Sequence, residues 1–272
     1  MTESYYAQLE CGDLAQAAGW RDEIDQGLRY AVALDWMPEE VSSVLDLGCG
    51  AGTFGTALQE RRGGLRYVGI DRRESIVQRG REETGFPLVC GDLHTEVSTS
   101  ADYVVAIGAL VGGTAWTNDV TRVEDVKRLL CRAYALSKHR ACIILLKEEA
   151  LNERPALRLE TCLGGAYLDE LTSLLADITP WHQLVVDELL HEHVVILDRH
   201  PDMHPNRTTR ADRIRSLWHA HCPPADRAVG VAIEGCAFEL ATQKLVDAGA
   251  GDWQRVTRAR LQWAENFLRS YS

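Results

Sequence analysis

The chain has 272 residues, with 29 Lys and Arg against 40 Asp and Glu, for a net charge of −11. That length allows one large domain, or one domain with an appendage, and either can bury a full core without cross-links. The acidic balance speaks against a partner bound by broad phosphate neutralisation, so nucleic acid is not expected.

The N-terminal stretch, Met1 to Asp13, has acids where a secretory signal needs a basic start and an apolar run. No uninterrupted apolar window approaches a membrane span, so the chain reads as soluble and cytoplasmic, with no membrane partner. Residues 1–40 read as helical. Leu28, Val32 and Trp36 recur at one-turn spacing beside Ile24, Ala31 and Leu34, and Pro38 ends the run.

A first strand, Ser43 to Leu47, runs into glycines and a helix through Gln59. A second, Arg66 to Ile70, precedes a helix from about Glu74 to Glu83. A short third strand ends at Val89 and Cys90, and a fourth covers Tyr103 to Ile107. A helix from Val123 to Leu136 leads to a fifth strand, Ala141 to Leu146. Alternation of this kind indicates βαβ units and a parallel sheet. A further helix, Tyr167 to Ala176, precedes two strand-like runs, Gln183 to Val186 and Val194 to Leu197. The connection between those runs is too short for a parallel crossover, so the pair is expected to be antiparallel.

From Pro201 the strand signal stops. Thr209 to His221, Asp226 to Val246 and Asp252 to Tyr271 read as helices, the last two split by Gly249 and Gly251. This tail has ten basic and eight acidic residues, leaving −13 for the first 200 positions. The expected organisation is a helical lid over 1–40, an α/β core over 41–200 and a helical extension over 201–272. The fold class is α/β: a seven-stranded, mostly parallel sheet with a C-terminal antiparallel hairpin, helices on both faces, and helical additions at each end.

The eight cysteines, at 11, 49, 90, 131, 142, 162, 222 and 236, form no C-x-x-C pair and read as free thiols. His200, His204, His219, His221 and Cys222 are spaced loosely. His200 and His204 flank a loop-like stretch, so helical ligand geometry fails there and no metal is expected. His182, His191 and His193 lie in or beside the closing hairpin, and no general base is assigned among the histidines.

The strongest local signal is Val44-Leu-Asp-Leu-Gly-Cys-Gly-Ala-Gly-Thr-Phe-Gly55. An apolar strand that runs into Gly48, Gly50 and Gly52 and then a helix brings backbone N–H groups and a helix N-terminus close to a ligand. A tight turn without a ligand is the bland reading. The stretch Gly50 to Gly55 also satisfies the dinucleotide pattern literally. Asp46 argues against a pyrophosphate, which it would repel; a carboxylate there instead suits a cationic amino-acid tail. Asp71, 25 residues after Asp46 at the end of the second strand, can accept both ribose hydroxyls of either cofactor. Gly91-Asp92 follows the third strand, where a carboxylate can accept from an adenine amine; taken alone, it is as readily a turn aspartate.

Taken together, Val44 to Gly52, Tyr67-Val-Gly-Ile-Asp71, Gly91-Asp92 and Ala101-Asp-Tyr-Val-Val105 resemble the class I S-adenosylmethionine (SAM)-dependent methyltransferases over roughly residues 41–200. The resemblance implies a seven-stranded sheet closed by an antiparallel hairpin, which agrees with the pair read above. It implies that Asp46, Gly48, Cys49, Gly50 and Gly52 surround the methionine end of SAM, with Cys49 a small packing residue. Asp71 would take the ribose with Arg72 along the adenine, and Asp92 the adenine amine with Leu93 against the ring. Ala106, Ile107 and Gly108 would border the sulfonium.

Methyl transfer from a sulfonium is an in-line displacement that needs alignment above all, and a base only where the acceptor must lose a proton. Catalytic residues are therefore not legible. The segment Gly108 to Trp116 lacks the Asn/Asp-Pro-Pro-aromatic and Pro-Cys signatures of nucleobase methylation. In that segment Gly112 and Gly113 offer a mobile or closely approached loop, and Trp116 could cover a substrate or simply pack.

The reading is transfer of a methyl group to oxygen or nitrogen of a small-molecule acceptor, with secondary metabolites among the candidates. Two alternatives stay open: a non-catalytic SAM-binding regulatory protein, and an NAD-linked oxidoreductase. Arg207, Arg210, Arg213 and Arg215 read as a solvated helix face sooner than an acidic-substrate site. Tyr5, Tyr6, Trp20 and Tyr30 line either an acceptor pocket or the core. Trp253, Val256, Trp263 and Phe267 form an apolar stripe that suits a helical partner or a homodimer, and no motif decides between them.

Overall fold

The computed structural model describes residues 13–18, 20, 23–93, 99–109, 119–146, 165–185 and 192–203. The expected tail helices, the Gly112–Trp116 loop, and Tyr5 and Tyr6 lie outside them. Two helices open the described chain, α1 (Leu14–Ala17) and α2 (Glu23–Trp36). Alternating elements follow: β1 (Ser43–Leu47), α3 (Thr53–Arg61), β2 (Arg66–Asp71), α4 (Glu74–Thr84), β3 (Leu88–Cys90) and β4 (Ala101–Ile107). Then come α5 (Asp119–Leu136), β5 (Ser137–Leu146), α6 (Gly165–Ile178), β6 (His182–Val185) and β7 (Glu192–Asp198).

The seven strands form one sheet in the order β3-β2-β1-β4-β5-β7-β6. The first five are mutually parallel, while β7 runs antiparallel to both β5 and β6. This is the sheet expected from the strand spacing. Helices cover both faces, which is why β1 and β4 are buried at every position and read as continuous apolar runs. On one face Val44, Tyr103, Val105, Ile144, Val194 and Ile196 pack with Trp36, Phe54 and Ile76 from α2, α3 and α4. On the other, Leu45, Val104, Ile143 and Val195 meet Leu129 and Leu130 of α5 and Leu175 of α6.

Helix α2 is pinned to the sheet by polar contacts near its C-terminal end. The Tyr103 hydroxyl donates to the Ala33 carbonyl at 2.6 Å. Arg140 donates to the Trp36 carbonyl at 2.7 Å and to Asp198 at 2.5 Å, an ion pair in which Asp198 is wholly buried.

Several boundaries differ from those expected: β4 begins at Ala101, α5 at Asp119 and β7 at Glu192, each a few residues early. Strand β5 begins at Ser137, directly after α5, because Ser137 to Arg140 pair with β4 across a register irregularity; their polar side chains had read as a connection. The N-terminal zone is not one helical run. It breaks at Ala18 to Trp20, where the Trp20 N–H returns to the Ala15 carbonyl at 2.9 Å. Among the described residues Cys49, Cys90, Cys131 and Cys142 are free thiols, and no helix is long and apolar enough to cross a membrane.

Candidate active site at the carboxyl edge of the sheet

The loops after β1, β2, β3 and β4 emerge side by side at one edge of the sheet. After β1 the chain turns through Gly48, Gly50 and Gly52 with φ of 77°, 54° and 75°, a left-handed conformation that a Cβ disfavours. The space is also closed to larger residues, since a Cβ on Gly48 would stand 2.6 Å from that of Ala109. Gly52 caps α3 without any side-chain hydrogen bond, and within the first turn the Gly55 N–H returns to the Gly52 carbonyl at 2.9 Å. Helix α4 rides against the loop through Gly80, where a Cβ would come within 2.5 Å of the Ala51 carbonyl oxygen.

Asp71 organises the neighbouring loops. One carboxylate oxygen accepts from the Gly50 N–H at 3.0 Å, and the other accepts from the Arg73 N–H at 3.0 Å. The Arg73 guanidinium lies 3.5 Å away. Each oxygen keeps a further lone pair, so the carboxylate can still accept from a ligand. The Gly91 N–H donates to the Asp71 carbonyl at 3.0 Å, which places Gly91-Asp92 beside Asp71. Asp92 and Arg72 are exposed, and Leu93 is half-buried against the α5 face.

Asp46 and Cys49 lie beneath this surface. The Asp46 carboxylate is buried and accepts the Tyr67 hydroxyl at 2.7 Å. Burial, with the charge of Asp71 nearby, pushes this carboxyl up to about 7 against the Tyr67 hydrogen bond. Burial likewise raises the Cys49 thiol, which packs against Gly69, so Cys49 is a neutral packing group. At the end of β4, Ala106 and Ile107 are buried on opposite faces of the sheet, and Gly108 turns out at the edge with φ of 67°. The Gly108 N–H donates to the Ile144 carbonyl of β5 at 3.3 Å.

The N-terminal helices lie across this edge. Ala18 stands over Gly50, at 3.0 Å from where a Cβ would be, and Arg73 donates to the Ala17 carbonyl at 3.0 Å. Trp20 stands over Gly108, 3.1 Å from its would-be Cβ, and the Arg29 guanidinium lies 5.6 Å from the centre of a Trp20 ring. On α2, the Tyr30 hydroxyl and the Thr53 hydroxyl share a hydrogen bond of 2.7 Å. Burial raises the Tyr30 phenol above its ordinary range, so it stays neutral. Gln26, one turn earlier, is buried with its amide nitrogen unpaired.

Residues 39–155 match the family model described as a methyltransferase domain. This stretch of the chain is similar to a methyltransferase domain, in agreement with the resemblance read from the sequence. The dinucleotide-like pattern Gly50 to Gly55 lies inside the matched stretch. Solved structures share the fold. TnmH is 19% identical over 73% of this chain and 58% of its own, with a TM-score of 0.50. The S-adenosylmethionine-dependent methyltransferase SibL, in its apo form, is 18% identical over 71% of this chain and 61% of its own, also at 0.50. Magnesium protoporphyrin IX methyltransferase from Synechocystis PCC 6803, with bound SAM, is 12% identical over 73% and 92%, at 0.49. No curated protein matches the chain in sequence.

The fold thus brings Gly48, Cys49, Gly50, Gly52, Asp71, Arg72, Asp92, Leu93 and Gly108 to four adjacent strand ends and loops, with Asp46 in β1 and Ala106 and Ile107 in β4 below them. Sequence reading did not find the groups that face them from α2 and β7: Gln26, Arg29 and Glu192. A signal existed for Arg29, a charge inside an otherwise apolar helical stripe. Of the histidines, His182 contacts the Thr179 carbonyl at 2.9 Å and His193 is buried in β7. His204, His219, His221 and Cys222 lie outside the described residues. Among the described residues, no three His, Cys, Asp or Glu side chains gather as a metal ion would require.

Proposed function

We propose that the chain transfers a methyl group to an oxygen or nitrogen of a small-molecule acceptor. We further propose that the four loops at the carboxyl edge hold SAM. The observation that carries the cofactor half is the pairing of left-handed Gly48, Gly50 and Gly52 with Asp71, whose oxygens tie the loops together and keep lone pairs to spare. In this reading Asp71 accepts from the ribose hydroxyls, and Asp92 and Leu93 meet the adenine. Asp46 lies under the amino-acid tail, and the unpaired Gln26 amide offers a donor for the tail's carboxylate.

The bound sulfonium supplies an electrophilic methyl group. The residues supply orientation and a dry surface: Trp20 over Gly108 and Ala18 over Gly50 close the edge against water. A small acceptor is favoured by the acidic charge and by the missing nucleobase-methylation signature after β4.

The test is thermal unfolding with S-adenosylhomocysteine (SAH) and NADH in separate wells. A ligand at 100 times its dissociation constant adds about 2.7 kcal/mol, a rise of roughly 5–10 °C for a chain of this size. A shift with SAH alone, reduced in Asp71→Ala, supports the assignment. Failure of SAH to shift the wild type refutes it. Turnover on a panel of phenols, carboxylic acids and amines tests the acceptor half. Methylation of a protein or RNA with no small acceptor turned over would overturn that half.

A further inference from the structure

Strand β7 enters the sheet against the direction of its neighbours, and this puts its first residue at the site. Leu146, the last residue of β5, pairs with Glu192. Glu192 therefore stands at the carboxyl edge, two strand spacings (roughly 10 Å) from the end of β4 at Gly108. Its alternation with Val194 and Ile196 turns it to the α2 face, where Arg29 meets it.

The pairing between them is lopsided. Both the Nε of Arg29, at 3.0 Å, and its Nη2 donate to the same Glu192 oxygen, Oε1. The other oxygen, Oε2, is buried and has no hydrogen-bond partner. Arginine and carboxylate usually meet side by side, with two parallel hydrogen bonds that use both oxygens. A carboxylate oxygen left bare in the interior is destabilising, since it has lost its water without gaining a donor. Nothing in sheet or helix geometry requires that cost here, whereas a donor arriving from outside would remove it. The route for such a donor is marked by the contacts already described: Glu192 pairs with Arg29, Arg29 lies over Trp20, and Trp20 lies over Gly108.

We propose that Glu192 Oε2 receives the hydrogen of the acceptor's O–H or N–H group, and so selects acceptors that carry a hydrogen on the atom to be methylated. This deepens the reading of the site given above and rests on it. Arg29 fixes the carboxylate through Oε1 and leaves Oε2 as the docking atom, with Trp20 as a flat wall beside it. In the transfer step, the acceptor atom forms its new bond to the methyl carbon and the sulfur–carbon electron pair stays on sulfur. The proton displaced from the acceptor passes to Glu192.

The experiment compares phenol with anisole, the same ring with its hydroxyl hydrogen replaced by methyl. Binding to the full chain saturated with SAH is followed by ligand-observed NMR. For the wild type, phenol should bind about tenfold or more tighter than anisole, the ratio expected when one hydrogen bond to a charged group is made or lost. In Glu192→Gln that ratio should fall to about threefold or less, with SAH affinity unchanged within about twofold. A purely structural ion pair would lower stability in the variant and leave the phenol-to-anisole ratio alone. Equal binding of the two rings by the wild type, no binding of either, or a ratio kept in Glu192→Gln overturns the proposal. Should Glu192→Gln not fold, the wild-type comparison and the charge-neutral Arg29→Gln/Glu192→Gln pair decide. If SAH itself does not bind the wild type, the reading of the whole site falls with it; SAH binding without ring discrimination removes only Glu192.

Discussion

Replacing Asp46 by asparagine should change how stability depends on pH, in a direction fixed by where the carboxyl sits. Asp46 is buried on β1 with one hydrogen bond, from Tyr67, and its pKa stands at about 7 against an ordinary 3.8. Between those values the unfolded chain has released a proton that the folded chain still holds. Stability therefore falls as pH rises from about 4 to about 7, and levels off above. Three pKa units at about 1.36 kcal/mol each set an upper bound of about 4 kcal/mol. Asparagine keeps the shape and an oxygen for the Tyr67 hydroxyl but cannot ionise.

The assay is urea unfolding of the ligand-free protein, wild type and Asp46→Asn, at half-unit steps from pH 4.5 to 8.5. Taking the difference between the two cancels every other titrating group. The variant should gain on the wild type up to about pH 7 and hold that lead above it, by at most about 4 kcal/mol, with unchanged m-values. Parallel stability curves would refute the reasoning and would mean that Asp46 is ionised in the folded protein at all these values.

Other perturbations follow from the same geometry. If the amino group of SAH lies near Asp46, binding favours the ionised carboxylate. Up to about half a proton should then be released per site near pH 7, read as a buffer-dependent binding enthalpy that disappears in Asp46→Asn. Gly80→Ala should gain about 1 kcal/mol of helix propensity but drive α4 into the Ala51 carbonyl. The net effect should be a loss of about 1–3 kcal/mol by urea unfolding, with weaker SAH binding by calorimetry. Arg140→Met strands the wholly buried Asp198 and should cost about 3–5 kcal/mol, whereas Arg140→Met/Asp198→Leu should lose much less in the same unfolding assay.

Most of the sheet could be read from the chain because strands buried on both faces are mostly apolar, as Val44 to Leu47 is apart from Asp46 and Tyr103 to Ile107 is throughout. The glycine loop was legible for a related reason: close backbone approach and positive φ admit little besides glycine, so Gly48, Gly50 and Gly52 carry their geometry in their identity. Glu192 was not legible. Beside His191 and His193 it resembles a polar hairpin, and its partner Arg29 lies 163 positions away. Pairing over that distance is decided by the strand order and by α2 lying across it, which no local pattern encodes. Tyr67 was missed as a polar group for a similar reason. A tyrosine in an apolar strand reads as core, and its hydroxyl matters only because Asp46 lies diagonally across from it on the neighbouring strand. Ser137 to Arg140 read as a connection because strand pairing at a sheet end tolerates polar side chains.

The reversed course of β7 has a consequence for how such a protein can change. Loops after β1, β2 and β3 stand on one half of the carboxyl edge, while the end of β6 and the start of β7 open on the other half, beyond β4 and β5. Glu192 can therefore be exchanged without disturbing a single hydrogen bond of Asp71 or the glycine loop. On the proposed reading, a change at the start of β7 is the economical way to redirect this scaffold to a different acceptor while the glycine loop stays as it is.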